Sequence, residues 1–236
     1  MTKNNVTGLR SPGLLGKKPI IGLAMFIIGS LIFIILAYSL VNQGVLIKGD
    51  WPVAQSFHSF ALNSPMFVTY IMIGAYYLGI WGIVIIAVLL SLYFFYKRFW
   101  RELTMVVVSL GLSGFIFMLF SGIFKRPRPS FLFAEQIWWG NNNLSGGFPS
   151  GHVLSTVVCF GFLAYLFVPK IKSYLGKALV IFLALLVMLL MGFSRLYLGD
   201  HYLTDVIAGY AFGMAWFGLA YTSVELLFKK HDGKNG

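Results

Sequence analysis

The sequence predicts an all-α protein, a bundle of six transmembrane helices, and three observations predict it. Of its 236 residues 58% are hydrophobic and only 11% charged, against roughly 25% charged in an average soluble domain. Uncharged apolar stretches recur near 20–41, 66–96, 103–124, 153–168, 174–193 and 206–228, at or near the roughly 20 residues that cross a hydrocarbon core as a helix. None of them alternates with period 2. In lipid the backbone must satisfy its own hydrogen bonds, so such runs read as helices and not as the strands of a closed barrel.

The first run, Ile20 to Val41, is longer than a signal-peptide core and is followed by no small-residue cleavage site, so it is expected to stay as a span. Asp50 to Asn63 is too short to cross and is expected to lie in the interface. The run over 66–96 exceeds what a bilayer needs; Gly74, Gly79 and Gly82 within it would allow close helix packing, and the extra length suits a tilt. Its aromatic groups near Tyr76, Tyr77 and Trp81, and near Tyr93 to Tyr96, read as packing and interface belts. Trp138 and Trp139, in a Gly/Asn-rich stretch after the third span, read as interfacial aromatics, and His58 as an interfacial histidine. The expectation is one membrane domain over 1–236, with polar tails at 1–18 and 229–236, the second holding His231.

Eighteen Lys and Arg stand against seven Asp and Glu, a net charge of +11. The basic residues gather in short clusters between apolar runs and not along one polar face, which points to anionic lipid headgroups as partner and away from nucleic acid. Lys3, Arg10, Lys17 and Lys18, then Lys97, Arg98 and Arg101, then Lys170, Lys172 and Lys177, then Lys229, Lys230 and Lys234 all fall on one side of a six-span chain. By the positive-inside rule that side is cytoplasmic and both termini lie there. Lys48, Lys125, Arg126, Arg128 and Arg195 fall on the other side. Cys159 is the only cysteine and sits in an apolar run, so it reads as a small core residue, with no intrachain disulfide or multi-cysteine metal site. No obligate protein partner is evident.

Three clusters on the predicted outer side carry chemistry. Lys125-Arg126-Pro127-Arg128-Pro129 closes the third span. Pro149-Ser150-Gly151-His152 opens the fourth, where Ser150 reads first as a helix N-cap; a helix N-terminus also offers free N–H groups to an anion, and Gly151 lets a phosphate come close to the backbone. Ser194-Arg195, then His201 and Asp205, lead into the last span. With a helix starting near His201, Asp205 lies one turn on, and its carboxylate would accept the imidazole N–H and leave the other ring nitrogen with a free lone pair. Asp200 reads as a helix-start acid. Together the clusters describe one phosphate site, with Arg128 and Arg195 as planar cationic forks for phosphoryl oxygens.

At these residues the sequence resembles the type 2 phosphatidic acid phosphatase (PAP2) superfamily, especially its bacterial phosphatidylglycerophosphatases, whose signatures are Lys-x6-Arg-Pro, Pro-Ser-Gly-His and Ser-Arg-x5-His-x3-Asp. The second and third are complete. The first departs: Ser121 stands where the family has its phosphate-binding lysine, and Lys125, one turn later, is expected to reach the same phosphate. The resemblance implies a PAP2-type six-helix fold and a phosphatase in which His201 is the nucleophile, Asp205 orients it, His152 is acid and then base, and Arg128, Ser150, Gly151, Arg195 and Lys125 bind phosphate. It implies no cofactor and no metal. The outer carboxylates Asp50, Glu135, Asp200 and Asp205 are in scattered positions, which is a poor start for a two-metal centre.

The implied substrate is a phosphorylated membrane lipid, best matched by phosphatidylglycerophosphate or undecaprenyl pyrophosphate, handled on the outer face of a bacterial plasma membrane. Two other classes stay open at this point: a lipid phosphotransferase, and a non-enzymatic anion or lipid transporter, which charges at mid-span would favour.

Overall fold

The computed structural model describes residues 19–133, 137–138 and 146–232; the expectations for the amino-terminal tail, for Glu135 and Trp139, and for the last four residues lie outside the described residues. Among the described residues the chain is helical without strands. Six helices are long and apolar enough to span a membrane: α1 (Pro19–Val41), α3 (Met66–Tyr96), α4 (Trp100–Phe124), α5 (Gly151–Phe167), α6 (Tyr174–Tyr197) and α7 (Leu203–Asp232). The short α2 (Asp50–Leu62) lies between the first two.

The sequence accounts for where each helix stops. After α1 the chain turns at Asn42-Gln43-Gly44, with Gln43 in the left-handed region and the Asn42 amide donating to the Tyr38 carbonyl at 2.9 Å. Alpha-4 ends at Phe124 because Lys125 takes a left-handed conformation and two prolines follow within four residues. Alpha-6 ends in a Schellman turn: Gly199, at φ +71°, donates to the Leu196 carbonyl and Asp200 to that of Arg195. The last helix runs on to Asp232, so the start of the expected carboxy-terminal tail, His231 included, is helical.

Burial divides the bundle into two central and four outer helices. In their most apolar stretches α7 is 61% and α5 50% buried, while α1, α3, α4 and α6 are 17–28% buried. The outer helices turn rows of Ile, Leu, Phe and Val outward, an arrangement suited to acyl chains and not to water. Backbones approach closely where small residues meet. A side chain on Gly218 would lie 2.8 Å from Met25 Cβ on α1, and one on Gly209 would lie 2.7 Å from the Ser150 carbonyl oxygen.

Within α3 only one of the three expected packing glycines has this role: Gly79 sits against Met191 and His152, while Gly74 and Gly82 face open space. Gly79 belongs to a π-turn, Leu78–Gly82, and α4 carries another at Val107–Gly111. Both line the same cavity, in keeping with the tendency of π-turns to sit at functional places.

Replacing Gly218 by Ala is expected to destabilise the bundle by about 1–3 kcal/mol through overpacking of α1 on α7. Gly114→Ala, at a position with nothing within 4 Å, should be neutral or stabilising. Thermal unfolding of the two variants in one detergent compares them directly.

Candidate active site

Pro127 and Pro129 stop α4 from continuing, and the irregular segment that results, before a short 3-10 turn at Pro129–Leu132, aims two arginines in different directions. Arg126 turns into the protein. Its Nη1 donates to Asp205 Oδ1 at 2.6 Å and to the Thr204 hydroxyl at 2.8 Å, its Nη2 donates to Asp50 Oδ2 at 2.7 Å, and its plane lies 4.2 Å from the Tyr202 ring centre. Asp50 also accepts from the Thr204 backbone N–H at 3.0 Å and from its hydroxyl. The guanidinium thus ties the start of α2 to the start of α7, with all three charged groups buried. Asp50 was expected in an interfacial segment; instead it is a buried anchor, and α2 packs Phe57 and Phe60 on Phe193 of α6.

Arg128 turns the other way, its Nη1 donating to the Asp200 carbonyl at 2.9 Å and lying 3.2 Å from His201 Nε2. His201 Nδ1 is 2.7 Å from the Gly147 carbonyl oxygen, which can only accept. The proton therefore sits on Nδ1, and Nε2 keeps its lone pair. This corrects the expectation for Asp205: its carboxylate is 3.8 Å from Nδ1, and a main-chain carbonyl fixes the tautomer. The last helix begins at Leu203, not at His201, and Asp205 accepts the Tyr202 N–H at 2.8 Å, as the third helical residue does in a capping box. The carboxylate's other oxygen belongs to Arg126.

Ser150 precedes α5 in an extended conformation, yet its hydroxyl caps nothing. The Ser150 hydroxyl oxygen is buried without a hydrogen-bond partner, and so is His152 Nε2. The capping explanation of Ser150 fails on this point, and unpaired buried polar atoms are costly enough to need a reason. Gly151 is small because Phe117 packs on it: a Cβ there would lie 2.8 Å from the ring.

Behind His152 stands Tyr76, which sequence reasoning assigned to an aromatic belt. Its ring is 4.6 Å from the His152 ring, 4.7 Å from the Arg195 guanidinium and 4.7 Å from the Trp138 ring. Arg195 is fully buried; its Nε and Nη2 donate to the Ser194 hydroxyl at 3.1 and 3.0 Å and its Nη1 to Asp200 at 3.2 Å. Two of its five N–H donors remain. Asp200 is therefore the counter-ion of Arg195, not a helix-start acid, and it also accepts from the Trp138 indole at 3.4 Å. His58 stacks on Phe133 at 3.8 Å, away from these groups.

A cavity of about 560 Å³ opens on the cluster. Tyr76, Arg128, Gly151, His152 and His201 line its polar end, and Ile80, Ile83, Val84, Leu110 and Phe117 line a long apolar wall between α3 and α4. Of the eight residues singled out from the sequence, seven gather here: Arg128, Gly151, His152 and His201 at the surface of the cavity, with Ser150, Arg195 and Asp205 bonded or adjacent to them. Lys125 does not. Its left-handed backbone sends it to a different cavity, beside Trp51 and Tyr202. Ser121 faces the turn at Gly146. Sequence reasoning missed Arg126, Asp50, Gly147 and Tyr76. Asp50 had one signal, as an acid at the mouth of an otherwise uncharged segment.

Burial, together with the neighbouring Arg128, holds the His201 imidazole below its ordinary pKa despite the opposing pull of Asp205, so the ring is neutral near pH 7. Arg128 is also lowered, by burial against the partial compensation of Asp200. Arg126 is raised: burial works against its charge, but Asp205 and Asp50 outweigh it.

The family model described as the PAP2 superfamily matches residues 102–229, more than half of the chain. Phosphatidylglycerophosphatase B of Bacillus subtilis is 33% identical over 128 residues, which cover 53% of this chain and 59% of that protein. Lipid A 1-phosphatase of Rhizobium etli is 41% identical over 126 residues, 50% of this chain and 49% of that one. The match thus spans about half the length of these curated relatives. The crystal structure of a transmembrane PAP2-type phosphatidylglycerolphosphate phosphatase from Bacillus subtilis superposes with a TM-score of 0.66 at 26% identity, covering 86% of this chain and 94% of that one. Aquifex aeolicus LpxE shares the fold, with a TM-score of 0.54 at 18% identity over 71% of this chain.

Asp50→Ala leaves Arg126 paired with Asp205 but takes the acceptor from its Nη2 and from the Thr204 backbone N–H. Each buried donor left without a partner costs about 1–3 kcal/mol, so the variant is expected to lose about 2–5 kcal/mol, read from unfolding in mixed micelles. A loss below about 1 kcal/mol, the level of an exposed pair, would mean that Asp205 alone holds Arg126.

Proposed function

The chain belongs to the PAP2 superfamily, and from that premise we propose that it is an integral-membrane lipid phosphatase whose active site is the cluster around His201. The observation that carries this reading is the state of His201: a buried, neutral imidazole at the edge of a cavity, with its proton held on Nδ1 and its unprotonated Nε2 accepting from the Arg128 guanidinium at 3.2 Å. That is the form a nitrogen nucleophile needs.

In the proposed reaction Nε2 attacks phosphorus in line, and the bond from phosphorus to the lipid oxygen breaks as His152 gives that oxygen a proton. A phosphohistidine and the dephosphorylated lipid result. Water then attacks the same phosphorus, His152 takes its proton, inorganic phosphate leaves and His201 returns to the neutral ring. Asp205 offsets the charge the imidazole gains on attack. Arg128, the Ser150 hydroxyl, the backbone N–H of Gly151 and the two remaining donors of Arg195 hold the phosphoryl oxygens. Among the described residues the acids around the cluster are each engaged by an arginine, Asp50 and Asp205 by Arg126 and Asp200 by Arg195, which supports a route in which cationic side chains carry the phosphate charge.

The apolar wall between α3 and α4 suits acyl or prenyl tails while the headgroup reaches His201. Phosphatidylglycerophosphate and undecaprenyl pyrophosphate are the proposed substrates. The relatives' names favour the first, and an outward-facing site favours the second. The basic clusters of the sequence support that sidedness, with both termini cytoplasmic.

The test is single turnover with phosphorus-labelled substrates, side by side and in excess chelator. The expected result is phosphate release and an acid-labile, alkali-stable label on wild-type protein, both lost in folded His201→Ala. Activity retained in His201→Ala, or dependence on added metal, would overturn the mechanism. The pH profile gives a second check. A lowered His201 pKa leaves the neutral nucleophile populated at and below about pH 6.5. After correction for titration of the substrate, the acid limb of kcat/KM should therefore fall only below that value; a limb at or above it would assign a different group.

A further inference from the structure

At the end of the bundle away from His201 another cavity, of about 570 Å³, opens between the last turns of α3 and α5. Alpha-5 begins at Gly151 beside the cluster and runs 17 residues, so its far end is roughly 25 Å away, at the opposite membrane boundary. The floor is apolar, from Leu90, Phe94 and Leu166, and the rim carries Tyr93, Lys97 and Lys170. Chain geometry places both lysines. Alpha-3 closes in a Schellman turn with Arg98 left-handed, Arg98 donating to the Phe95 carbonyl and Phe99 to that of Phe94, which leaves Lys97 at the rim. Lys170 ends the short turn Val168–Lys170 that follows α5.

Among the described residues neither ammonium is in an ion pair. Lys97 rests over the Tyr96 ring at 5.4 Å and Lys170 over the Phe167 ring at 5.7 Å. Of the acids at this end whose side chains are described, Glu225 is engaged by Arg101 and by the Tyr165 hydroxyl, while Glu102 is in Coulombic range of Lys170 without pairing with it. Two exposed cations from different helices thus share the mouth of an apolar pocket at the boundary of the hydrocarbon. Long lysine stems let the charges reach headgroup level while the pocket stays among acyl chains.

We propose that this cavity binds one anionic phospholipid of the leaflet opposite the His201 cluster, its phosphate between Lys97 and Lys170 and the start of one acyl chain against Leu90, Phe94 and Leu166. A zwitterionic lipid brings its own cation to the two ammonium groups and is disfavoured. The site stands apart from the phosphatase reading, since it shares no residue with the His201 cavity.

Native mass spectrometry of the full chain, released from detergent with equimolar phosphatidylglycerol and phosphatidylcholine, tests it. One phosphatidylglycerol should be retained in preference to phosphatidylcholine. At about 1 kcal/mol per lysine, Lys97→Met with Lys170→Met should weaken that retention about 30-fold while keeping the apolar stems. Lys172→Met with Lys177→Met, basic residues at the same end that do not line the cavity, should leave it unchanged. Equal loss in both pairs would mean general surface charge, and no preference between the lipids would remove the site; either result overturns the proposal. Lipid held in the His201 cavity is common to all variants and cancels in the comparison.

Discussion

One buried guanidinium holds the His201 end of this bundle together. Arg126 joins Asp50 to Asp205, and so fixes a short helix that does not cross the membrane to the first turn of the most buried helix that does. Its backbone continues the chain of support: the Arg126 carbonyl accepts the Gly147 N–H at 2.9 Å, and the Gly147 carbonyl in turn accepts from His201. Charges this deep are tolerated only with near-complete pairing. Because they are paired, the loops that carry Arg128, Gly147 and His201 have few other conformations open to them.

The rest of the bundle serves this end by contrast. Alpha-7 and α5 supply the rigid centre, and both enter it from the His201 end, so that Ser150, Gly151 and His152 open one helix while His201 and Asp205 flank the start of the other. The Ser150 backbone N–H donates to the Asp205 carbonyl at 3.0 Å, joining the two starts. The outer helices face lipid and pack less, which leaves the wall between α3 and α4 free to be a cavity where a soluble protein would have a core.

Much of this was legible in the sequence, and the part that was not has a common cause. Apolar length marks a span without ambiguity, so the six helices could be read directly; Pro, Gly and Ser marked most of their ends. The motif residues were legible because each carries chemistry an apolar run does not need. Asp50 and Arg126 were hidden because they meet across 76 positions of chain, and no local pattern announces such a partner. Tyr76 was hidden by its company: among so many aromatics in α3, nothing in composition separates the ring that packs on His152 from those that face lipid. Lys125 misled because spacing along an ideal helix assumes that the helix continues, and one left-handed residue ended it.

The carbonyl of Gly147 has a consequence of its own. It orients the proposed nucleophile, yet it belongs to the main chain, so no exchange of one side chain can delete it. Residue 147 is a glycine held close to the Arg126 carbonyl, and a replacement would disturb the path of the loop before it touched the acceptor. The poise of the imidazole is thus encoded in loop length and curvature. Drift at side chains elsewhere would leave it in place, while the gain or loss of one residue between Gly147 and the start of α5 would carry the acceptor away from the ring.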